Sequence, residues 1–412
     1  MPAKLAPARS GYREYLLSFS KWKTYLIACF FVYLAGFYLS PDRDFHMRWF
    51  YYTITAISVF MLLIKGREIF SGDRSGNLRF VAIITLLFFL PFLWTPDADY
   101  QRTVRHGIER LLFVFSFVLA TYYCCRREKL VERYIPLLLV ASASIALILF
   151  FYRTALYPDA IYKTGMLILS SNPNQTGMPM GVASILCLSL WLCKDDLRGR
   201  RLIWLALSLL FAAGVAIAAT RSAMLGLLAA VAMLLYIRTD RKVFIVAPLV
   251  ALMAVVALLF FYYSNPVQHL LPGRSAIWAH IWETFRDHPW FGQGAKSTYM
   301  VIRGPCGLCD SDHAKLEAHS LYFGIAYYAG IYGIVVLLVL LGKTLRNGLA
   351  ATKEIQTLYL PLLIYGLAVH AFEGIYPLYK PNPFWLFTWL PILVLLFSRE
   401  SNGAARESSD EL

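Results

Sequence analysis

Three residues of this chain are of types that could do chemistry together. Arg221 stands in Ala219-Thr220-Arg221-Ser222-Ala223, Arg274 in Pro272-Gly273-Arg274-Ser275-Ala276-Ile277-Trp278, and His319 in Ala318-His319-Ser320. A guanidinium grips a phosphate through paired hydrogen bonds. Imidazole is the side chain best suited to accept a proton near neutral pH. Together they suit chemistry on a lipid-linked anionic substrate. Each also has a plainer reading. Arg221 can be an arginine snorkelling to a membrane interface, Arg274 a charge flanking a helix, and His319 a polar residue capping one. Arg286, Lys296, Arg303 and Lys315 lie between Arg274 and His319, so the case rests on a cluster of cations. His313 and Glu317 are close enough in sequence to orient His319 or to replace it.

Other chemistry-bearing patterns are weaker. Asp42-Arg43-Asp44, Asp97-Ala98-Asp99 and Asp310-Ser311-Asp312 have a spacing that can hold a divalent metal. Such short matches arise by chance and read first as solvated loop charges. Cys306 and Cys309 form a C-x-x-C with no second pair, which favours a small disulfide or free thiols over a metal site. No metal and no cofactor are expected. Glu109, Arg110 and Glu373 lie in or beside apolar runs, where a charge needs a partner.

The elements that must position these residues are membrane helices. The chain is 58% hydrophobic and only 16% charged, which excludes an ordinary soluble protein. About twelve runs are long enough to cross a bilayer: near 24–40, 47–64, 78–95, 107–125, 134–152, 176–193, 201–219, 221–237, 243–263, 319–342, 357–376 and 383–397. The expected fold is therefore an all-α polytopic membrane protein. Its parts are a cytoplasmic tail (1–23), nine spans (24–263), a long outer loop (264–318), three spans (319–397) and a cytoplasmic tail (398–412). Basic residues precede a full-length first span, so no cleavable signal peptide is expected. With the N-terminus inside, the inner segments carry 25 of the 39 Lys and Arg residues, which supports both termini in the cytoplasm. The net charge of +14 follows mainly from this topology and does not call for nucleic acid. Outer arginines run against the orientation rule, so they are the informative ones. No internal repeat is evident, which weighs against a transporter of duplicated halves.

Within the long loop, 274–288 predicts an amphipathic helix. Ile277, Trp278, Ile281, Trp282 and Phe285 recur on one face, with Pro272-Gly273 before them and Pro289 after. Two tryptophans on that face fit a helix lying in the outer membrane interface, and equally one packed on the spans.

Taken together, these segments resemble the O-antigen ligase family and its relatives, the Wzy-type O-antigen polymerases and the bacterial protein O-oligosaccharyltransferases. The likeness is motif-level from Ala219 to Gly333. It comprises the small-residue stretch with an arginine (Ala219 to Gly226), Gly273-Arg274, Trp278, His288-Pro289, Gly292-Gln293-Gly294, and His319-Ser320-Leu321-Tyr322, where Ser320 replaces the usual asparagine. The resemblance implies a membrane glycosyltransferase of the GT-C type in a Gram-negative inner membrane, embedded in the lipid bilayer. Its donor would be O-antigen linked to undecaprenyl pyrophosphate, and its acceptor a sugar hydroxyl of lipid A–core, met at the periplasmic face. It implies an inverting, metal-independent reaction with His319 as base and with Arg221 and Arg274 on the leaving pyrophosphate. Arg286, Lys296, Arg303, His313 and Lys315 would be further substrate contacts.

Polymerases and protein oligosaccharyltransferases share the donor. The arrangement of arginine and histidine in one long loop leans towards a ligase, and a protein oligosaccharyltransferase would usually carry an extra C-terminal region. A flippase or exporter of lipid-linked glycans would instead line a central path with charge. A metal-dependent oligosaccharyltransferase would carry its acid pair in a large first outer loop, which here is a few residues long. EDTA is therefore expected to leave transfer unchanged in a membrane assay. Loss of transfer that Mg²⁺ or Mn²⁺ restores would place the activity in the metal-dependent class.

Overall fold

A computed structural model describes residues 19–40, 42–73, 75–95, 100–156, 173–193, 201–218, 220–238, 272–295, 300–303, 313–374 and 376–398. Both expected tails apart from 19–23 and Ser398, the run at 243–263, Lys296, Cys306, Cys309 and the acid pairs at 97–99 and 310–312 lie outside these residues. Thirteen described helices follow in chain order: α1 (Phe19–Leu39), α2 (Arg43–Trp49), α3 (Ala56–Ser71), α4 (Asn77–Phe89), α5 (Tyr100–Cys125), α6 (Ile135–Leu156), α7 (Pro173–Cys193), α8 (Arg201–Ile217), α9 (Arg221–Ile237), α10 (Pro272–Asp287), α11 (Leu321–Leu349), α12 (Lys353–Val369) and α13 (Trp389–Phe397). Between α10 and α11, β1 (Met300–Arg303) pairs antiparallel with β2 (His313–Leu316), which sets Arg303 opposite His313. This short ribbon is an addition to the all-helical reading.

Among the described residues six helical stretches are long and apolar enough to cross a bilayer, as a polytopic membrane protein requires: Phe19–Leu39, Asp44–Ser71, Tyr100–Cys125, Leu130–Leu149, Thr176–Cys193 and Leu321–Leu349. Shorter apolar helices cover Asn77–Phe92, Arg201–Ile217, Arg221–Ile237 and Pro383–Phe397. Two predicted boundaries move. The run at 319–342 begins its helix only at Leu321, with Ser320 as the N-cap. The run at 357–376 stops being helical at Val369, and of the connector 370–382 that follows, the described residues are mostly buried, with Lys380 exposed. Asp42 caps α2, its carboxylate accepting from the Phe45 amide at 2.6 Å, so the first acid pair is accounted for by local structure.

Helices α7, α9 and α12 meet around Tyr365. Its hydroxyl donates to the Met178 carbonyl at 2.8 Å. Gly181 and Gly226 both face its ring, and a Cβ at Gly226 would also lie 2.9 Å from Val369 Cγ2. Such small residues let helix backbones approach closely in a membrane, where packing has to replace the hydrophobic drive. This contact places the Arg221 end of α9 beside the end of α12 that leads into the 370–382 connector.

The segment 289–294 after α10 docks on α11 by its backbone. Gly330 breaks α11, with φ 61° and ψ −153°. In an unbroken helix the amides of Ile331 and Tyr332 would bond the carbonyls of Tyr327 and Tyr328. Instead they donate to the Pro289 and Trp290 carbonyls at 2.8 and 3.0 Å. The freed carbonyls of Tyr327 and Tyr328 accept from the Gln293 and Gly294 amides at 2.9 and 3.0 Å. Two helical bonds are thus exchanged for four bonds to the loop, and no backbone group at the break is stranded. The approach is too close for a side chain, since a Cβ at Gly330 would lie 2.5 Å from the Pro289 carbonyl oxygen. Gly330→Ala would meet that clash in a backbone conformation costing about 1–3 kcal/mol on its own. The substitution is expected to lower the unfolding temperature of the detergent-purified chain by several degrees. Gly342→Ala, where a Cβ meets nothing within 4 Å, is expected not to lower it.

Candidate functional site

Arg274 lies in the first turn of α10, whose start is set by Pro272. Its guanidinium crosses to the 370–382 connector and meets Glu373, Nη2 to Oε1, at 2.9 Å. The arginine side chain is 30% exposed and the glutamate 10%. The pair is therefore sheltered on the carboxylate side and open on the guanidinium side. Burial pushes the Glu373 carboxyl up, and the Arg274 charge pulls it back down.

The connector is braced by His370. Its Nδ1 lies 3.1 Å from the Glu373 carbonyl, and its Nε2 contacts the Thr388 hydroxyl. The His370 carbonyl accepts from the Leu321 amide at 3.0 Å and from the Ser320 hydroxyl at 3.3 Å. The serine that stands in place of the usual asparagine thus joins the start of α11 to the segment carrying Glu373.

His319 is held between fixed neighbours. On one side the Ala318 carbonyl accepts from Trp278 Nε1 at 3.1 Å, and the Trp278 ring stacks on Phe323 with centroids 5.0 Å apart. On the other side Ser320 caps α11. Between them His319 takes φ +48°, a left-handed conformation that no other described non-glycine residue adopts. The imidazole is half-buried. Burial first, and then the Arg274 charge, hold its pKa below the ordinary 6.5. It is therefore neutral at pH 7 and free to accept a proton.

Arg221 is the first residue of α9 and half-buried. Among the described residues it has no hydrogen-bond or ion-pair partner. Gly226 against Val369 puts it at the same end of the bundle as Glu373.

Of the other predicted contacts, Arg286, Arg303, His313 and Lys315 fall among the described residues and Lys296 outside them. Arg286 is exposed at the far end of α10, about 18 Å along the helix axis from Arg274. Arg303, His313 and Lys315 lie on the ribbon, where the register sets Arg303 opposite His313 and Val301 opposite Lys315. Helix α10 buries Ile277 and Ile281 and half-buries Trp278, while Trp282 is 53% exposed and stacks on Phe285. The helix is thus both packed and open to its surroundings. Deeper in the bundle Arg110 lies between the rings of Phe92 and Tyr379, at 5.7 and 5.3 Å.

Comparison with known proteins agrees on one family. Residues 205–338 match the family model described as O-Antigen ligase. An O-antigen ligase of Pseudomonas aeruginosa is 24% identical over 389 residues, which covers 92% of this chain and 92% of the relative. Arg221, Arg274 and His319 all fall within the matched domain, and Glu373 lies beyond it.

Glu373 and Arg274 are expected to depend on one another. Removing Arg274 leaves a buried carboxylate unpaired, and removing Glu373 leaves the guanidinium without its anion. In a cycle of Arg274→Ala, Glu373→Ala and the double variant, read as unfolding free energy in detergent, a coupling of about 0.5–3 kcal/mol is expected. Strict additivity would mean that the contact holds nothing in place.

Proposed function

We propose that the chain is a member of the O-antigen ligase family, whose model matches residues 205–338, and that it transfers O-antigen polysaccharide from undecaprenyl pyrophosphate to a sugar hydroxyl of lipid A–core. In this reading the site faces the periplasm of a Gram-negative cell and the helices lie in its inner membrane. The observation that carries the mechanism is the grouping of a half-exposed guanidinium, a buried carboxylate and a neutral imidazole on three separate elements.

The acceptor hydroxyl gives its proton to His319 as its oxygen attacks the anomeric carbon. The bond from that carbon to the pyrophosphate oxygen breaks, and the electron pair leaves with undecaprenyl pyrophosphate. A single in-line displacement inverts the anomeric centre. Negative charge grows on the departing phosphate oxygen, where Arg274 and Arg221 stabilise it in a site sheltered from water. Glu373 positions Arg274 before the donor arrives and keeps it from binding elsewhere. The reaction in this account draws its positive charge from the arginines.

The test is a lipopolysaccharide gel from a strain lacking this gene, with the undecaprenyl-linked pool measured alongside. Core without polymer, and polymer stranded on undecaprenyl, are expected. Core carrying a single repeat would make the protein a polymerase, and an unchanged ladder would remove it from both reactions. Complementation with Arg221→Ala, Arg274→Ala or His319→Ala is expected to lower transfer about 10²–10³-fold with the protein still folded in the membrane. Normal transfer by any of these would remove that residue from the site.

The depressed pKa of His319 sets the direction of the pH profile. A base is active when unprotonated, and this imidazole resists protonation below its ordinary value of 6.5. The acid limb of transfer by purified protein is expected to have its midpoint below pH 6.5. An acid limb with its midpoint above 6.5 would contradict His319 as the base.

A further inference from the structure

A second site lies at the other end of α11. Lys343 follows Ser320 by 23 residues, about 35 Å along the helix and so about a membrane thickness away. There α4 and α11 diverge around a cavity of about 650 Å³. We propose that this groove binds the headgroup of an anionic membrane phospholipid.

Its shape comes from Gly342, which is exposed and beyond which a Cβ would meet nothing within 4 Å. Phe80 of α4 and Val339 of α11 form the walls. The Lys343 ammonium is held 4.0 Å from the centroid of the Phe80 ring, so its charge is fixed on the groove wall. Arg346 lies one turn farther on, exposed at the rim. The acid whose field reaches Lys343 is Asp73, which is fully buried and already occupied. Its carboxylate accepts from the amides of Leu78 and Arg79 at 2.8 and 3.3 Å and from the Ser75 hydroxyl at 3.0 Å. The rim therefore keeps an excess of positive charge.

What makes the ligand a lipid rather than a soluble anion is the surface that runs into the groove. Val335, Leu338 and Val339 are exposed, with Leu338 at 61%, and they recur at helical spacing with Gly342 and Arg346. Across from them Ile83 and Leu86 of α4 are exposed as well. An apolar stripe ending in two cations matches acyl chains below an anionic head. Basic pockets between membrane helices bind such headgroups.

The test is native mass spectrometry of the full chain in detergent. Phosphatidylglycerol and phosphatidylethanolamine of the same acyl chains are titrated separately, with inorganic phosphate as a third arm. Phosphatidylglycerol is expected to bind about 25-fold more tightly than phosphatidylethanolamine. Lys343→Ala with Arg346→Ala should lose that preference, at about fivefold per cation. Gly342→Leu keeps both charges and fills the groove, and it should lose binding too. Arg127→Ala with Lys129→Ala, exposed cations at the same end of the bundle, should leave binding unchanged. Equal binding of the two lipids, or unchanged binding by the groove variants, overturns the proposal. Phosphate binding without lipid preference overturns it in favour of a soluble-anion site. Sugar transfer does not enter the readout, so the outcome is independent of the proposed function.

Discussion

Two amides and two carbonyls in the middle of α11 decide how α10 and the segment after it are held. A transmembrane helix normally satisfies its own backbone, and a break in it must be repaired from elsewhere. Here the repair comes from Pro289 to Gly294, whose backbone fills the gap at Gly330 with four hydrogen bonds. The exchange ties the end of α10 to α11 without needing any particular side chain, but it does need glycine where the chains touch. Once α10 is tied, Trp278 can reach the Ala318 carbonyl and Arg274 can reach Glu373. The helix break and the charge pair are joined through α10, which carries Arg274 and leads into the segment bonded at the break.

This arrangement accounts for an otherwise costly set of residues. A carboxylate that is 10% exposed and a histidine in the left-handed region would each destabilise an isolated segment. The fold over-determines both. His370 braces the connector under Glu373 and bonds the start of α11, while Trp278 and Ser320 grip the backbone on either side of His319. A preorganised charge and base, held before substrate arrives, is what electrostatic catalysis of phosphate departure requires. The open side of Arg274 leaves room for an anion to take over from Glu373.

Much of this was legible in the sequence wherever the signal is local. Helical spacing placed an amphipathic helix at 274–288, and Pro272–Asp287 is helical. Arg221, Arg274 and His319 stood out because they are polar groups beside apolar runs. Non-local pairing was not legible. Glu373 showed itself as a carboxylate needing a partner, but nothing along the chain says that the partner lies 99 residues earlier. The break at Gly330 was hidden because glycine is common in membrane helices, and the run around it kept its apolar character. Its counterpart, Gly292-Gln293-Gly294, looked like a family signature and turned out to be the piece that fills the break. Nearness along the chain also does not fix nearness in space, because a helix rises about 1.5 Å per residue. Arg286 shares α10 with Arg274 and still lies far along it.

The most direct test of the account is the charge swap Arg274→Glu with Glu373→Arg. Unfolding temperature and transfer from a lipid-linked donor would both be measured on the purified protein. The account predicts that the swap recovers most of the stability lost by either single change and still fails to transfer. A cation at 373 sits in the sheltered half of the pair, away from the departing phosphate. Normal transfer by the swapped protein would contradict it, because the pair would then be structural and Arg274 no part of the chemistry.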